Sequence, residues 1–284
     1  MSTDRAKQIL AKVDRLPPLP AVVQQILAQL QDPNFSFDQL MGVVRMDPGI
    51  TAHVIEMCNS PFFGLRAKVS SLQQALVILG SQHLMEIVLS GQMMGHLRQG
   101  QKGYRLARGD LWRHSMATAL LAQRLGERLG FTEIPALFTA ALMHDVGKLI
   151  LSEHVAKDFE KIEAMVAGGQ SFCQAEREVL GVDHAILGAA VARKWHFPED
   201  IAAAIAFHHE PERTRKHRKL CHLVCLANLM CVTLGVGAGA EGLASTFSAE
   251  LLAEVGLKPR QLDLLLLELK DILDQAADLL ALAG

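Results

Sequence analysis

The sequence predicts an all-α protein, a multi-helix bundle with a helical lobe at its N-terminal end, and two observations carry that prediction. Aromatic residues make up only 5% of the 284 residues and Tyr occurs once, whereas strands are enriched in aromatic and β-branched side chains. Apolar residues also recur at three-and-four spacing between Pro, Gly and capping signals, the mark of amphipathic helices. A hydrophobic fraction of 50% lets such helices fill a sizeable core and disfavours disorder.

The first hundred residues read as short helices. Val22, Val23, Ile26, Leu27 and Leu30 form a stripe after the rigid LPPLP segment, and Asp32-Pro33 closes it. Ser36 is placed to cap SFDQLMGVV, and Asp47-Pro48 opens another helix with Pro48 preset for its first turn. Residues 58–71, CNSPFFGLRAKVSS, read as a loop. Ser71 and Gln74 then form a capping-box pattern for SLQQALVILG, which Gly80 ends before HLMEIVLSGQMMGHL. The polar segment RQGQKGYRLARGD is the expected internal boundary. Beyond it come a helix over 110–129 stopped at Gly130, and a Thr132-capped helix with Pro135 in its first turn that runs through FTAALMHDVGKLIL. DFEKIEAMVAG, EREVLGVDHAILGAAVARKWH and PEDIAAAIAFHHE follow as three helical stretches. After the basic insert ERTRKHRKL, KLCHLVCLANLMCVTLG resumes the helical pattern, and the loop GVGAGAEG leads to a final helix. That helix aligns Leu262, Leu265, Leu266, Leu269, Ile272, Leu273, Leu279 and Leu280, a stripe suited either to its own domain or to a homodimer or partner interface.

A formal charge of -2 supplies no global field toward nucleic acid or an anionic membrane, and the early helices carry few basic residues on any face. The N-terminus, MSTDRAKQILAKVDR, lacks an apolar stretch with a cleavage site, and no run is expected to reach the roughly 20 apolar residues that span a bilayer. Five cysteines without CxxC spacing suit reduced thiols, so a cytoplasmic protein is expected. Cys221, His222 and Cys225 neighbour one another on one helix, where free cysteines usually pack as small hydrophobes and a metal role is the weaker alternative.

The chemistry lies in a subset of the twelve histidines: His114, His144 with Asp145, His184, and His208 with His209. One imidazole alone says little, since His is common at intermediate burial. His144-Asp145, however, lies inside an otherwise apolar helix, where an imidazole and a carboxylate are costly unless paired or bound to metal. His208-His209 likewise closes the apolar run IAAAIAF, and imidazoles suit zinc, iron or manganese.

WRHSMATALLAQRLGERLG, FTAALMHDVGKLIL and VDHAILGAAVARKWHFPEDIAAAIAFHHE resemble, in order and spacing, the HD superfamily and in particular the HD-GYP phosphodiesterases. The upstream LPPLPAVVQQILAQLQDPNFSFDQLMGVVRMDPGITAHVIEMCNSPFFG and VSSLQQALVILG resemble the HDOD family, so the chain is similar to an HDOD protein over about residues 14–211. The resemblance implies an N-terminal lobe over 14–100, an HD-like lobe over 109–211 completed by 212–284, and a role in bacterial signal transduction. It places His114, His144 and Asp145 at one metal, with Asp145 bridging to a second held by His184, His208 and His209, for one or two divalent ions in all. Lys148 matches the lysine that assists phosphate chemistry in HD-GYP enzymes. Two departures follow. Asn228 stands where the superfamily has its last Asp ligand, a neutral and weaker donor, and PERTRKHRKL replaces the Gly-Tyr-Pro loop. In that insert Arg213, Arg215 and Lys216 are candidates for binding phosphate. Two functions remain: a signalling module meeting a protein partner in trans or sensing a ligand, and a metal-dependent phosphohydrolase acting on a nucleotide or other phosphorylated small molecule.

Overall fold

The computed structural model describes residues 2–29, 41–42, 44–45, 47–60, 68–237, 239, 249–257, 261 and 265. These contain thirteen α-helices and no strand, the all-α architecture expected. The N-terminal helices are α1 (Ser2–Leu10), α2 (Ala21–Gln29), α3 (Pro48–Cys58) and α4 (Leu72–Leu97). Val22, Val23, Ile26 and Leu27 bury the predicted face of α2, which packs on α4. Asp47 caps α3, its Oδ1 accepting from the Gly49 and Ile50 amides, with Pro48 at the first helical position. Ser71 caps α4 by accepting from the Gln74 amide, but the Gln74 side chain accepts from Ser70, so the predicted reciprocal box is only half made. Gly80 breaks α4 at φ 75°, a left-handed backbone that glycine adopts without a Cβ penalty.

The second lobe comprises α5 (Asp110–Arg128), α6 (Ile134–Met143), α7 (Lys148–Lys157), α8 (Phe159–Ala167), α9 (Phe172–Leu180), α10 (His184–Lys194), α11 (Glu199–Phe207), α12 (Arg218–Thr233) and the short α13 (Ala249–Val255). α6 lies against α5, α11 and α12, and α10 packs on α7 and α11. One apolar core runs from Ile9 through both lobes to Leu265. The N-terminus is part of this packing: α1 rests on α9, and Trp195 Nε1 donates to the Pro17 carbonyl at 3.0 Å.

Several expectations require correction. Thr132 does not cap α6; Glu133 holds that position without a side-chain hydrogen bond. The stretch FTAALMHDVGKLIL is not one helix, because α6 ends at Met143 and His144–Gly147 form a tight turn before α7. Gly147 in this turn is a packing requirement. A Cβ there would lie 1.9 Å from the His184 carbonyl oxygen and 2.6 Å from the Gly188 amide nitrogen, so only glycine lets α10 approach. EREVLGVDHAILGAAVARKWH is also two helices, separated at Gly181 (φ 82°) and restarted by Asp183, whose carboxylate accepts from the Ile186 amide. The supposed linker is buried at Gln101, Tyr104 and Leu106, and Gly103 packs its backbone against Ser152.

Ile134–Lys157 is long and apolar enough to pass as a membrane-crossing stretch, contrary to expectation, but 78% of its most apolar window is buried inside the protein and the turn at His144 divides it. Cys221, His222 and Cys225 are buried in α12, where His222 Nδ1 donates to the Arg218 carbonyl of its own helix. The three form no metal-competent group among the described residues. Leu30, Asp32-Pro33, Ser36 and the leucine stripe beyond Gly256, apart from Leu265, lie outside the described residues.

Candidate metal centre

Helix ends and turns bring the chosen residues to one point. His114 enters from the first turns of α5, His144 and Asp145 from the turn after α6, His184 from the start of α10, His208 and His209 from the end of α11, and Asn228 from α12. None of His114, His144, Asp145, His184 and His208 is more than 2% exposed, while His209 is only partly buried.

Backbone carbonyls decide which ring nitrogen carries each proton. His114 Nδ1 donates to the Val236 carbonyl at 2.8 Å, His144 Nδ1 to the Ala141 carbonyl at 2.6 Å, and His208 Nδ1 to the Ile205 carbonyl at 2.7 Å. In a neutral ring so engaged, Nε2 is left as a bare lone pair. The His114 and His144 Nε2 atoms then face each other at 3.2 Å, with Asn228 Oδ1 3.0 Å from the first. Asp145 Oδ2 lies 3.6 Å from the His114 Nε2 and 3.3 Å from the His144 Nε2. Burial pushes the His114 imidazole down to about 4, so it does not supply the missing positive charge. When both rings are neutral, four electron-rich atoms converge here, and two nitrogens bound tetrahedrally to one zinc would stand about 3.3 Å apart. This donor set fits a divalent ion.

The second half is built around the other Asp145 oxygen. Among the described residues Oδ1 has no hydrogen-bond partner; it lies 3.5 Å from His184 Nε2 and 3.8 Å from His208 Nε2, which likewise has none among them. His184 Nε2 meets His209 Nε2 at 3.0 Å. Burial, reinforced by neighbouring histidines, holds His208 and His209 well below the usual imidazole range. For Asp145, burial opposes ionisation, but His144 and the Lys148 ammonium outweigh it and hold the carboxyl well below its ordinary value. Lys148 Nζ donates to Asp145 Oδ2 at 2.7 Å.

Three residues that sequence reasoning did not select complete the surroundings. Glu176 of α9 is fully buried; its Oε2 accepts from His184 Nδ1 at 2.8 Å and from the His184 amide at 3.0 Å, and its Oε1 accepts from the Tyr104 hydroxyl at 2.5 Å. A carboxylate behind an imidazole fixes the tautomer and raises the basicity of the inward nitrogen. Cys173, one turn before Glu176, places its Sγ 3.8 and 3.9 Å from the two His184 ring nitrogens, and burial pushes its thiol up to about 12. The signal was an acid and a cysteine three apart on the apolar face of FCQAEREVL.

The basic insert is engaged differently. Arg213 pairs with Glu210, which also takes a two-pronged contact from Arg177, and Arg177 in turn holds Asp183 at the start of α10. Arg215 and Lys216 are exposed on the following loop.

An all-α fold with an HD dyad, a downstream His-His pair and this helical N-terminal lobe defines a class, and the HDOD domain model matches residues 16–211. The chain belongs to the HDOD family. An HDOD domain protein of unknown function from Geobacter sulfurreducens has a similar structure, with a TM-score of 0.80 at 28% identity, covering 98% of this chain and 97% of that one. A protein from Shewanella amazonensis SB2B provisionally named a phosphohydrolase superposes with a TM-score of 0.73 at 23% identity, covering 97% and 98% of the two chains, which shows a common fold. An uncharacterized protein of Treponema pallidum (strain Nichols) is 23% identical over 242 residues, 80% of this chain, and the chain spans 44% of that relative's length.

Proposed function

We propose that this chain is a bacterial, cytoplasmic signal-transduction protein whose HD centre holds one or two divalent ions, iron, manganese or zinc, as a structural or sensing site. Its helical surface would bind a protein partner in trans. The observation that supports this reading is enclosure: five of the candidate ligands are at most 2% exposed, and with four protein donors available to each ion no position is kept open as it is in a catalytic zinc site. His114, His144, Asp145 and Asn228 would hold the first ion, and Asp145, His184, His208 and His209 the second. Elemental analysis of protein purified without chelator should find one to two ions per chain. A metal-free, folded product that takes up none on dialysis against manganese, iron or zinc would refute the reading.

A second reading, a metal-dependent phosphohydrolase of nucleotides or other phosphorylated small molecules, is favoured by one observation: His209 is only partly buried and lies just ahead of the basic insert in the chain. An ion bound there would polarise a phosphoryl oxygen and lower the pKa of a bound water. Lys148, already held against Asp145, would counter phosphate charge, and Arg213, Arg215 and Lys216 would approach from outside. Turnover across a nucleotide panel with added manganese or iron, lost in His209→Ala, would establish this reading; no turnover by metal-loaded protein would exclude it for the panel.

A further inference from the structure

Cys173 is the only cysteine in a metal-competent group among the described residues. Its Sγ, one His184 nitrogen and one His209 nitrogen all lie within 4.8 Å of one another. Hydrogen bonding does not account for the placement. The His184 Nδ1 proton goes to Glu176, and at 3.9 Å from Nε2 the thiol is at the outer limit of even a weak S–H bond. An independent observation turns the two rings toward the same space: Glu176 takes the His184 Nδ1 proton, and His184 Nε2 faces His209 Nε2 at 3.0 Å. A nitrogen and a sulfur bound tetrahedrally to one zinc stand about 3.5 Å apart, so closing from 3.9 Å needs only a small movement.

We propose that Cys173 is a ligand, so that the second half of the centre includes a mixed nitrogen–sulfur site in which Cys173 joins His184 and His209, matched to a soft divalent ion such as zinc. The inference rests on the metal reading above and narrows it. Thiolates select softer ions, while carboxylate, carbonyl and water suit magnesium, calcium and manganese. On binding, the Cys173 S–H bond breaks, its proton leaves to solvent and a sulfur–metal bond forms, with no change of oxidation state.

The test uses the full chain, stripped of metal and reloaded with cobalt(II) or zinc. Cobalt should give an intense near-ultraviolet sulfur-to-cobalt band in addition to visible ligand-field bands. Cys173→Ser should lose the first and keep the second, while Cys225→Ser keeps both. Ligand-field bands without the sulfur band, or a sulfur band that survives in Cys173→Ser, would overturn the assignment and leave the metal reading intact. Failure to bind either ion would overturn both. Should Cys173→Ser not fold, X-ray absorption at the zinc edge of the unmodified chain decides: a sulfur scatterer at about 2.3 Å supports the assignment, and a shell of nitrogen and oxygen alone overturns it.

Discussion

Glu176→Gln separates the role of this residue in the fold from its role at the centre. The carboxylate accepts three buried hydrogen bonds, from Tyr104 Oη, His184 N and His184 Nδ1. A glutamine whose carbonyl oxygen replaces Oε2 keeps both His184 bonds but makes them neutral, and its amide can donate to Tyr104, whose hydroxyl turns to accept. Hydrogen bonds to a charged group contribute about 1.5–3 kcal/mol against about 0.5–1.5 for neutral ones, so weakening all three costs the metal-free protein about 3 kcal/mol. Metal affinity should fall further, because losing the charge behind a ligating imidazole typically costs about 10–100-fold, or ~1.4–2.8 kcal/mol. Urea unfolding of the metal-free protein measures the first effect, and competition against a chromophoric chelator at fixed pH measures the second. A variant destabilised as expected but binding metal within about twofold of the unmodified chain would show that His184 Nε2 is not a ligand.

Asp145→Ala should abolish metal binding and destabilise the metal-free protein by about 3–5 kcal/mol, because the buried Lys148 loses its carboxylate partner; unchanged metal content would remove Asp145 from the site. Asn228→Asp adds a negative charge 3.0 Å from His114 Nε2 and should tighten the first ion by tenfold or more, whereas equal affinity in titration calorimetry would mean that residue 228 is not a ligand. Weak or no cyclic di-GMP hydrolysis is expected, since the Gly-Tyr-Pro loop is replaced; robust release of linear product would contradict this. Acid should destabilise the metal-free fold: His114 titrates near 4 when folded and near 6.5 when unfolded, so the unfolded chain binds the extra proton between those values. Its contribution is present above pH 6.5, falls as pH drops through that window and is spent near pH 4, and His208 and His209, also held well below the usual imidazole range, add to the loss. Urea midpoints flat from pH 7 to pH 4 would refute it.

The helices and the main candidate ligands were legible because both are local patterns. Val22, Val23, Ile26 and Leu27 announce a buried face by spacing alone, and Asp47-Pro48 announces a helix start by the chemistry of two adjacent residues. The turn at His144–Gly147 was not legible: LMHDVGKLIL keeps helical periodicity through it, and the α10 backbone that packs against Gly147 lies some forty residues away. Tyr104 was hidden for a similar cause. In a segment rich in Gly, Lys and Arg it reads as loop, and its burial depends on Glu176, 72 residues on. Arg213 reads as a free cation until Glu210 and Arg177 are seen around it.

The Val236 carbonyl that receives the His114 proton lies 122 residues away, in the turn that follows α12. Gly237 presses that turn against α5 so closely that a Cβ would sit 2.8 Å from the His114 Cβ. The imidazole therefore has its orientation set from outside its own helix, and whatever pulls the turn away frees the ring to rotate. Coupling free energy is reciprocal, so a ligand held by His114 Nε2 must fasten the turn by the same amount that the turn improves its binding. Hydrogen exchange at the amides of residues 234–237 thus becomes a remote gauge of occupancy at the centre.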